Sequence, residues 1–316
     1  MTTTILLGTC LAVLPTLPER SVNACVTSPP YWGLRDYGAA GQLGLEPTLD
    51  GYVENLVGVF RLVRRVLRDD GVLWLNLGDS YNAYNGGAGP SSSEFEGRRD
   101  AARPKLQRGH GLLCKALKPK DLVGVPWRVA FALQADGWFL RSDVVWAKPN
   151  PMPESVRDRP TRSHEYLFLM AKSERYYYDG KAVAEPSVTI HPSGNGYRRP
   201  ERLTHRDRNG PRGGTGPWRP TPTRNRRTVW TVPTRPFKGA HFATFPEAVA
   251  EPCVLAGCPP GGTVLDPFFG AGTTGLVAGR HGRNCVGIEI NPAYAEIALA
   301  RLAGRAVEVN VLRPQP

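Results

Sequence analysis

The chain has 316 residues, of which 41% are hydrophobic, 22% charged and 9% aromatic. That is enough apolar material for a packed core, so a wholly disordered chain is excluded. Forty Lys and Arg against 28 Asp and Glu leave +12, a balance that favours a polyanionic partner over an acidic or neutral one. Six cysteines with no C-x-x-C pair, and histidines lying far apart, read as reduced thiols of a cytosolic protein; neither a disulfide scaffold nor a metal is expected.

In chain order, residues 1–14 have the apolar look of a signal segment but lack a basic start and a small-residue cleavage pattern. They read as a buried strand running into a short helix. No stretch reaches the roughly 18 apolar residues of a membrane span. Val22–Val26 reads as a short strand. Residues 49–68 carry apolar side chains at helical spacing (Leu56, Phe60, Val63, Leu67) and are followed by a strand over 72–77. A second helix is expected over 121–135 with Asp121 as its N-cap. Strands follow over 138–146 and 166–171. Beyond a Gly- and Pro-rich interruption, 246–256 reads as a helix despite Pro252, 263–265 as a strand and 272–281 as a helix. The pattern closes with a strand over 284–290 and a helix over 292–302 that begins on Pro292. Strand–helix alternation on both sides of one interruption predicts an α/β fold with a mostly parallel, doubly wound sheet.

The charge is not spread evenly. Residues 181–240 hold 13 basic residues, 11 of them Arg, against three acids, with 7 Gly and 9 Pro. Residues 82–120 hold 8 basic residues and 3 acids. The rest of the chain therefore carries −3, and the basic character belongs to two segments. The expected organisation is a first half over 1–179 with a basic loop at 82–120, a basic segment over 180–240, and a second half of the same domain over 241–316.

Between the predicted strand and helix near residue 270, Gly270, Gly272 and Gly275 form G-x-G-x-x-G. Missing Cβ atoms allow a tight turn and close approach to a ligand. Glu289 ends the next predicted strand, placed to accept hydrogen bonds from two ribose hydroxyls. A nicotinamide cofactor would suit this pattern too. Asp266, just before the glycines, can pair with an ammonium group and favours a cofactor with an amino-acid tail, S-adenosylmethionine.

The second motif is Thr27-Ser28-Pro29-Pro30-Tyr31-Trp32. Consecutive prolines fix the backbone and leave rigid carbonyl acceptors, and Ser28 adds a hydroxyl acceptor. Together these could bind an exocyclic amino group and aim its lone pair at an electrophilic methyl, while Tyr31 and Trp32 offer flat faces for a base. No Pro-Cys pair is present, which argues against carbon-5 methylation through an attacking thiolate.

Ser28-Pro29-Pro30-Tyr31 together with Asp266-Pro-Phe-Phe-Gly-Ala-Gly-Thr-Thr274 resembles the amino-group DNA methyltransferases. The catalytic motif first, a basic segment between, and the cofactor loop last is the order of their beta group, a circular permutation of the common methyltransferase fold. The resemblance implies Ser28, Pro29, Pro30 and Tyr31 as catalytic residues. It implies Asp266, Phe268, Gly270, Gly272, Thr273, Thr274 and Glu289 around S-adenosylmethionine, with no metal.

Residues 71–81 look like the family's strand and acidic turn beside the target pocket. Residues 146–155 and 159–165 look like the segment closing over a flipped base, and 241–246 like the methionine-side cofactor segment. Gly8-Thr9-Cys10 departs from the family's usual Gly-Asp-Cys. Double-stranded DNA is the implied substrate, with cytosine N4 favoured over adenine N6 and the basic segment 180–240 reading the target. A restriction endonuclease is a possible companion, and the oligomeric state is open. A nicotinamide oxidoreductase and a non-catalytic DNA-binding protein are the rival classes. Asp79 could serve the site or cap a turn, His164-Glu165 reads as a structural pair, and Tyr176–Tyr178 as sheet packing.

Overall fold

The computed structural model describes residues 1–34, 36–82, 114, 116–187, 222–234 and 245–303, and the backbone of 308–312. Most of both basic segments, and residues 241–244, lie outside the described residues. The framework is a nine-stranded sheet whose strands, in chain order, are β1 (Thr2–Leu7), β2 (Val22–Thr27), β3 (Leu67–Leu77), β4 (Phe139–Ala147), β5 (His164–Ala171), β8 (Val229–Thr231), β9 (Thr263–Asp266), β10 (Asn284–Glu289) and β11 (Glu308–Leu312). They lie in the order β11-β1-β10-β9-β2-β3-β5-β4-β8, while β6 (Glu185–Pro186) and β7 (Thr223–Arg224) form a separate two-stranded ladder. From β11 through β3 the sheet is parallel, and β5 runs antiparallel to both β3 and β4.

Alternation along the strands sends side chains into two layers. Ala24, Val26, Val72 and Trp74 pack on one face with α4 (Glu247–Gly257), α5 (Thr273–Arg280) and α6 (Pro292–Leu302). Cys25, Leu73, Leu75 and Leu77 pack on the other with α1 (Cys10–Val13), α2 (Leu49–Val66) and α3 (Val125–Ala135). This is the doubly wound arrangement. The best-defined helix is α2: Thr48 caps Gly51 N at 3.1 Å, Asp50 sits in the first turn, and Arg64 and Arg65 lie in the last, each sign complementing the helix dipole. Its inward face buries Leu49, Tyr52, Leu56, Val59, Phe60, Val63 and Val66, each side chain stabilising by about 1.5–3 kcal/mol.

Three details differ from the sequence expectation. The third helix starts at Val125 behind Gly124, whose φ of 77° is left-handed, and not at Asp121. Asp121 instead closes the preceding turn, its carboxylate accepting from Lys118 N at 3.1 Å. The cap comes from Asp79, whose Oδ1 accepts from Gly124 N and Val125 N, both at 2.9 Å. β3 begins at Leu67, directly after α2, because Val22 pairs with Leu67 before the register shifts. Strands β6, β7, β8 and β11 carry no alternation long enough to announce them; among the described residues of the basic segment, β8 enters the main sheet, parallel to β4.

The order of strands sets the position of the site. From β2 the chain moves outward through α2 to β3, and from β9 it moves the opposite way through α5 to β10. Neighbouring strands β2 and β9, paired at Ala24–Val264 and Cys25–Leu265, therefore flank the point where the winding reverses. A crevice opens there beyond the carboxyl ends of the strands.

Candidate active site

Both sequence motifs emerge into this crevice, the Ser-Pro-Pro-Tyr turn from β2 and the glycine loop from β9. They are tied together at the base, where Thr27 Oγ1 donates to Asp266 Oδ1 at 2.6 Å. A cavity of about 670 Å³ opens above the tie. Ser28, Pro29, Pro30, Tyr31, Asp266, Phe268, Gly270, Thr273, Thr274 and Glu289 all line it. Gly272 is not among the lining residues. Its φ is 75°, and a Cβ there would stand 2.9 Å from Ala298 Cβ, so this glycine caps α5 and lets α6 pack close.

The third glycine is likewise a packing device. A Cβ on Gly275 would lie 2.8 Å from Phe269 Cζ, and one on Gly287 would lie 2.3 Å from the same ring. Phe269, 3% exposed, thus fills a slot between α5 and β10 and anchors the loop from beneath. Above it, Gly270 N donates to Glu289 Oε2 at 2.7 Å, and Asn291 N donates to Glu289 Oε1 at 2.8 Å. The carboxylate of Glu289 therefore shapes the glycine loop while still lining the cavity.

Asp266 accepts from Thr27, from Thr274 Oγ1 at 2.7 Å and from Phe268 N at 3.1 Å. All three donors are neutral. Burial raises its carboxyl above the ordinary value, with the two hydroxyls pulling the other way. Burial raises Glu289 too, against the backbone bonds from Asn291 and Gly270, and Asp266 adds repulsion. Two partly compensated acids facing one cavity favour a cationic ligand.

On the opposite wall, Ser28 Oγ donates to Asn76 Oδ1 at 3.1 Å. The Pro30 carbonyl already accepts from Tyr52 at 2.8 Å, so the two prolines differ. Ser28 Oγ and the Pro29 carbonyl are left as acceptors for an incoming amino group. Tyr31 stands 2.7 Å from Glu165 Oε2 and 3.1 Å from Asn76 Oδ1. A phenol has one proton, and the nearer, charged acceptor takes it. Lys148 pairs with the other oxygen of Glu165 and lies 4.5 Å above the Trp146 ring. Burial, then the Glu165 charge, pushes the Tyr31 phenol well above its ordinary value, so it stays protonated. The Tyr31 ring lies against Gly78, where a Cβ would come within 2.4 Å of it.

Sequence reasoning placed Asn76, Lys148 and Glu165 only within segments resembling those beside the target pocket, gave none of them a role there, and missed Tyr52. One signal was present for Asn76: it is the polar residue in the run Leu73-Trp-Leu-Asn-Leu77 and is 2% exposed. His164 and Glu165 do not act as a pair, since His164 lies edge-on to Tyr166 at 5.3 Å while Glu165 serves Tyr31. Asp79 caps α3 and meets Arg162 at 3.5 Å. Thr9 caps α1 through Ala12 N and also lines the cavity, as do Phe245 and Pro246. Among the described residues no group of three or more His, Cys, Asp or Glu could hold a metal.

Both the sequence and the fold have known relatives. A model of the N6/N4 DNA methylase family matches residues 22–300. The chain is 50% identical over 310 residues to Type II methyltransferase M.Cfr9I of Citrobacter freundii, covering 98% of this chain and 90% of the relative. It is 48% identical over 301 residues to Type II methyltransferase M.SmaI of Serratia marcescens, covering 95% and 91%. Among solved structures, the PvuII DNA methyltransferase, described as cytosine-N4-specific, superposes with a TM-score of 0.64 at 19% identity over 97% of this chain and 89% of that one. TTHA0409 of Thermus thermophilus, solved in complex with S-adenosyl-L-methionine, gives a TM-score of 0.55 at 23% identity over 98% of this chain and 99% of that one. At these identities the two structures speak for the fold.

Proposed function

The chain belongs to the N6/N4 family of DNA methylases, and from that premise we propose that it methylates the N4 amino group of cytosine in double-stranded DNA, with S-adenosylmethionine as donor. The observation that carries the reading is the single cavity shared by the Ser-Pro-Pro-Tyr turn and the glycine loop, which brings an amino-group binder against a cation binder. When bound, S-adenosylmethionine supplies an electrophilic methyl on a sulfonium centre. Asp266 and Glu289 fit it by charge: both are buried carboxylates with neutral donors and lone pairs to spare. Asp266 would take the ammonium end, Glu289 the ribose hydroxyls, and Phe268, Gly270, Thr273 and Thr274 the walls.

The amino nitrogen of cytosine is conjugated to its ring and is a poor nucleophile. Ser28 Oγ and the Pro29 carbonyl accept its two hydrogens and hold its lone pair toward the cofactor, a positioning and polarising role. Asn76 is an amide and cannot take up a proton, so its bond to Ser28 orients the hydroxyl and does not relay charge. The protonated Tyr31, fixed through Glu165, presents its ring to the base. A base must leave the duplex to reach these groups, and the arginines of 180–240 are assigned to the phosphates and base edges of the target.

Ser at position 28 favours cytosine N4 over adenine N6, and the described specificity of the PvuII enzyme agrees with it. The Type II relatives make a companion restriction endonuclease part of the same proposal, and the free thiols suit a cytoplasmic site of action. Hydrolysis of enzyme-treated DNA followed by mass spectrometry of the nucleosides tests the reading. N4-methylcytosine is expected, and N6-methyladenine would overturn the choice of base.

A further inference from the structure

Between β4 and β5 the chain runs from Lys148 to Ser163, with Lys148, Asn150 and Met152 lining the cavity, and one residue of this loop is out of character. Met152 is 85% exposed, although it lines the cavity mouth. Its neighbours are Pro151 and Pro153, with Pro149 two positions before Pro151, so the backbone on both sides has restricted freedom. The loop is also tied down around it. Asn150 exchanges three hydrogen bonds with Thr234, at 2.9, 3.0 and 3.2 Å. Glu154 accepts from Arg159 at 2.7 Å and from Arg162 N at 3.3 Å. Lys148 N donates to Ser163 O at 2.7 Å and closes the base of the loop. Arg159 in turn lies 3.6 Å above the Tyr81 ring.

A mobile apolar side chain would fold onto the nearest apolar surface. Here the pinned backbone denies that and presents the thioether to solvent at the mouth of the pocket. Unbranched and polarisable, methionine adapts to irregular apolar gaps, and apolar wedges of this kind enter between base steps in DNA-binding proteins. A base drawn into the cavity leaves such a gap in the duplex beside the rim.

We propose that Met152 is the wedge that fills the place of the target base in the duplex while that base occupies the cavity. The proposal rests on the methyltransferase reading. Met152 is a positioning residue: it stabilises the opened duplex and touches neither the amino group nor the cofactor. Its contribution is therefore largest when the target base is well paired and small when pairing is already lost.

The experiment compares wild type with Met152→Ala on two duplexes, one with the target base paired and one with an abasic site opposite it. Cofactor affinity is followed by calorimetry. On the paired duplex kcat/KM is expected to fall on the order of 10-fold, the scale of one lost stacking contact. On the abasic duplex the variant is expected to stay within about twofold of wild type, with cofactor affinity unchanged. Equal rates on the paired duplex, or equal losses on both, overturn the wedge. Absence of methyl transfer by the wild type on either duplex overturns the methyltransferase reading, and the wedge with it.

Discussion

The phenol of Tyr31 donates to Glu165 across 2.7 Å, linking the Ser-Pro-Pro-Tyr turn to a strand more than a hundred residues away. Lys148 and Glu165 are only 18% and 15% exposed, so their pair is largely out of water. Removing one partner of such a pair leaves the other charge uncompensated, at about 3–5 kcal/mol for full burial. Glu165→Gln is expected to lower turnover about 10-fold and to lower Tm, with the cofactor Kd unchanged. Tyr31→Phe keeps the ring and the ion pair, so its turnover should fall less and its Tm should hold. Steady-state kinetics and thermal melts on both variants distinguish the two; an equal fall in Tm would argue against the assigned network.

The paired acids make a pH prediction. Asp266 and Glu289 both titrate above their ordinary values because burial disfavours the ions. For groups shifted upward, the stability they contribute is complete below the ordinary carboxylate values, about 4, and is lost as pH rises through the folded-state values. The ligand-free protein should therefore lose this part of its stability across that window. A cationic cofactor favours the ionised acids, so its affinity should rise over the same window and binding should release protons. Calorimetry in two buffers of different ionisation enthalpy reads that release directly. Asp266→Asn should diminish it and weaken cofactor binding by at least about 10-fold.

Two glycines should separate activity from stability. Gly78→Ala would place a methyl 2.4 Å from the Tyr31 ring, displacing a proposed catalytic side chain. Gly287→Ala would place one 2.3 Å from Phe269, overfilling the slot beneath the loop. Overpacking of this kind costs roughly 1–3 kcal/mol. The first substitution should reduce kcat more than Tm. The second should reduce Tm and weaken cofactor binding, because the loop above Phe269 shifts with it.

Asp79 offers a contrast. Its carboxylate caps α3 through two amides and pairs with Arg162 at 3.5 Å, so Asp79→Ala should cost at least the roughly 0.5–2 kcal/mol of a lost cap, with the charge left on Arg162 adding to it. Denaturant melts should show the loss while the cofactor Kd is preserved. A variant with native stability and no turnover would place Asp79 in the chemistry instead.

The two turns were legible in the sequence because each is a local signature: prolines that fix a backbone, and glycines around a strand–helix junction. What completes them was not. Glu165 reaches Tyr31 only because β5 pairs antiparallel to both β3 and β4, setting Glu165 opposite Trp146 and Tyr166 opposite Leu77. No local pattern encodes that register. The start of α3 was misplaced for the same reason, since its cap arrives from Asp79, 46 positions before Val125. The glycines show the converse: their spacing predicts a tight turn and close approach to a ligand, and of the three Gly270 lines the cavity while Gly272 and Gly275 make room for Ala298 and Phe269.

The bond from Thr27 to Asp266 joins groups 239 positions apart. At synthesis rates of about 5–20 residues per second, a ribosome that has finished the first turn needs roughly ten seconds to most of a minute to supply the second. Throughout that interval the nascent chain carries the proposed amino-group binder without the cofactor wall and cannot transfer a methyl. Methyl transfer thus awaits chains that extend past Asp266, a delay that any endonuclease paired with the enzyme under the proposed function would have to outlast.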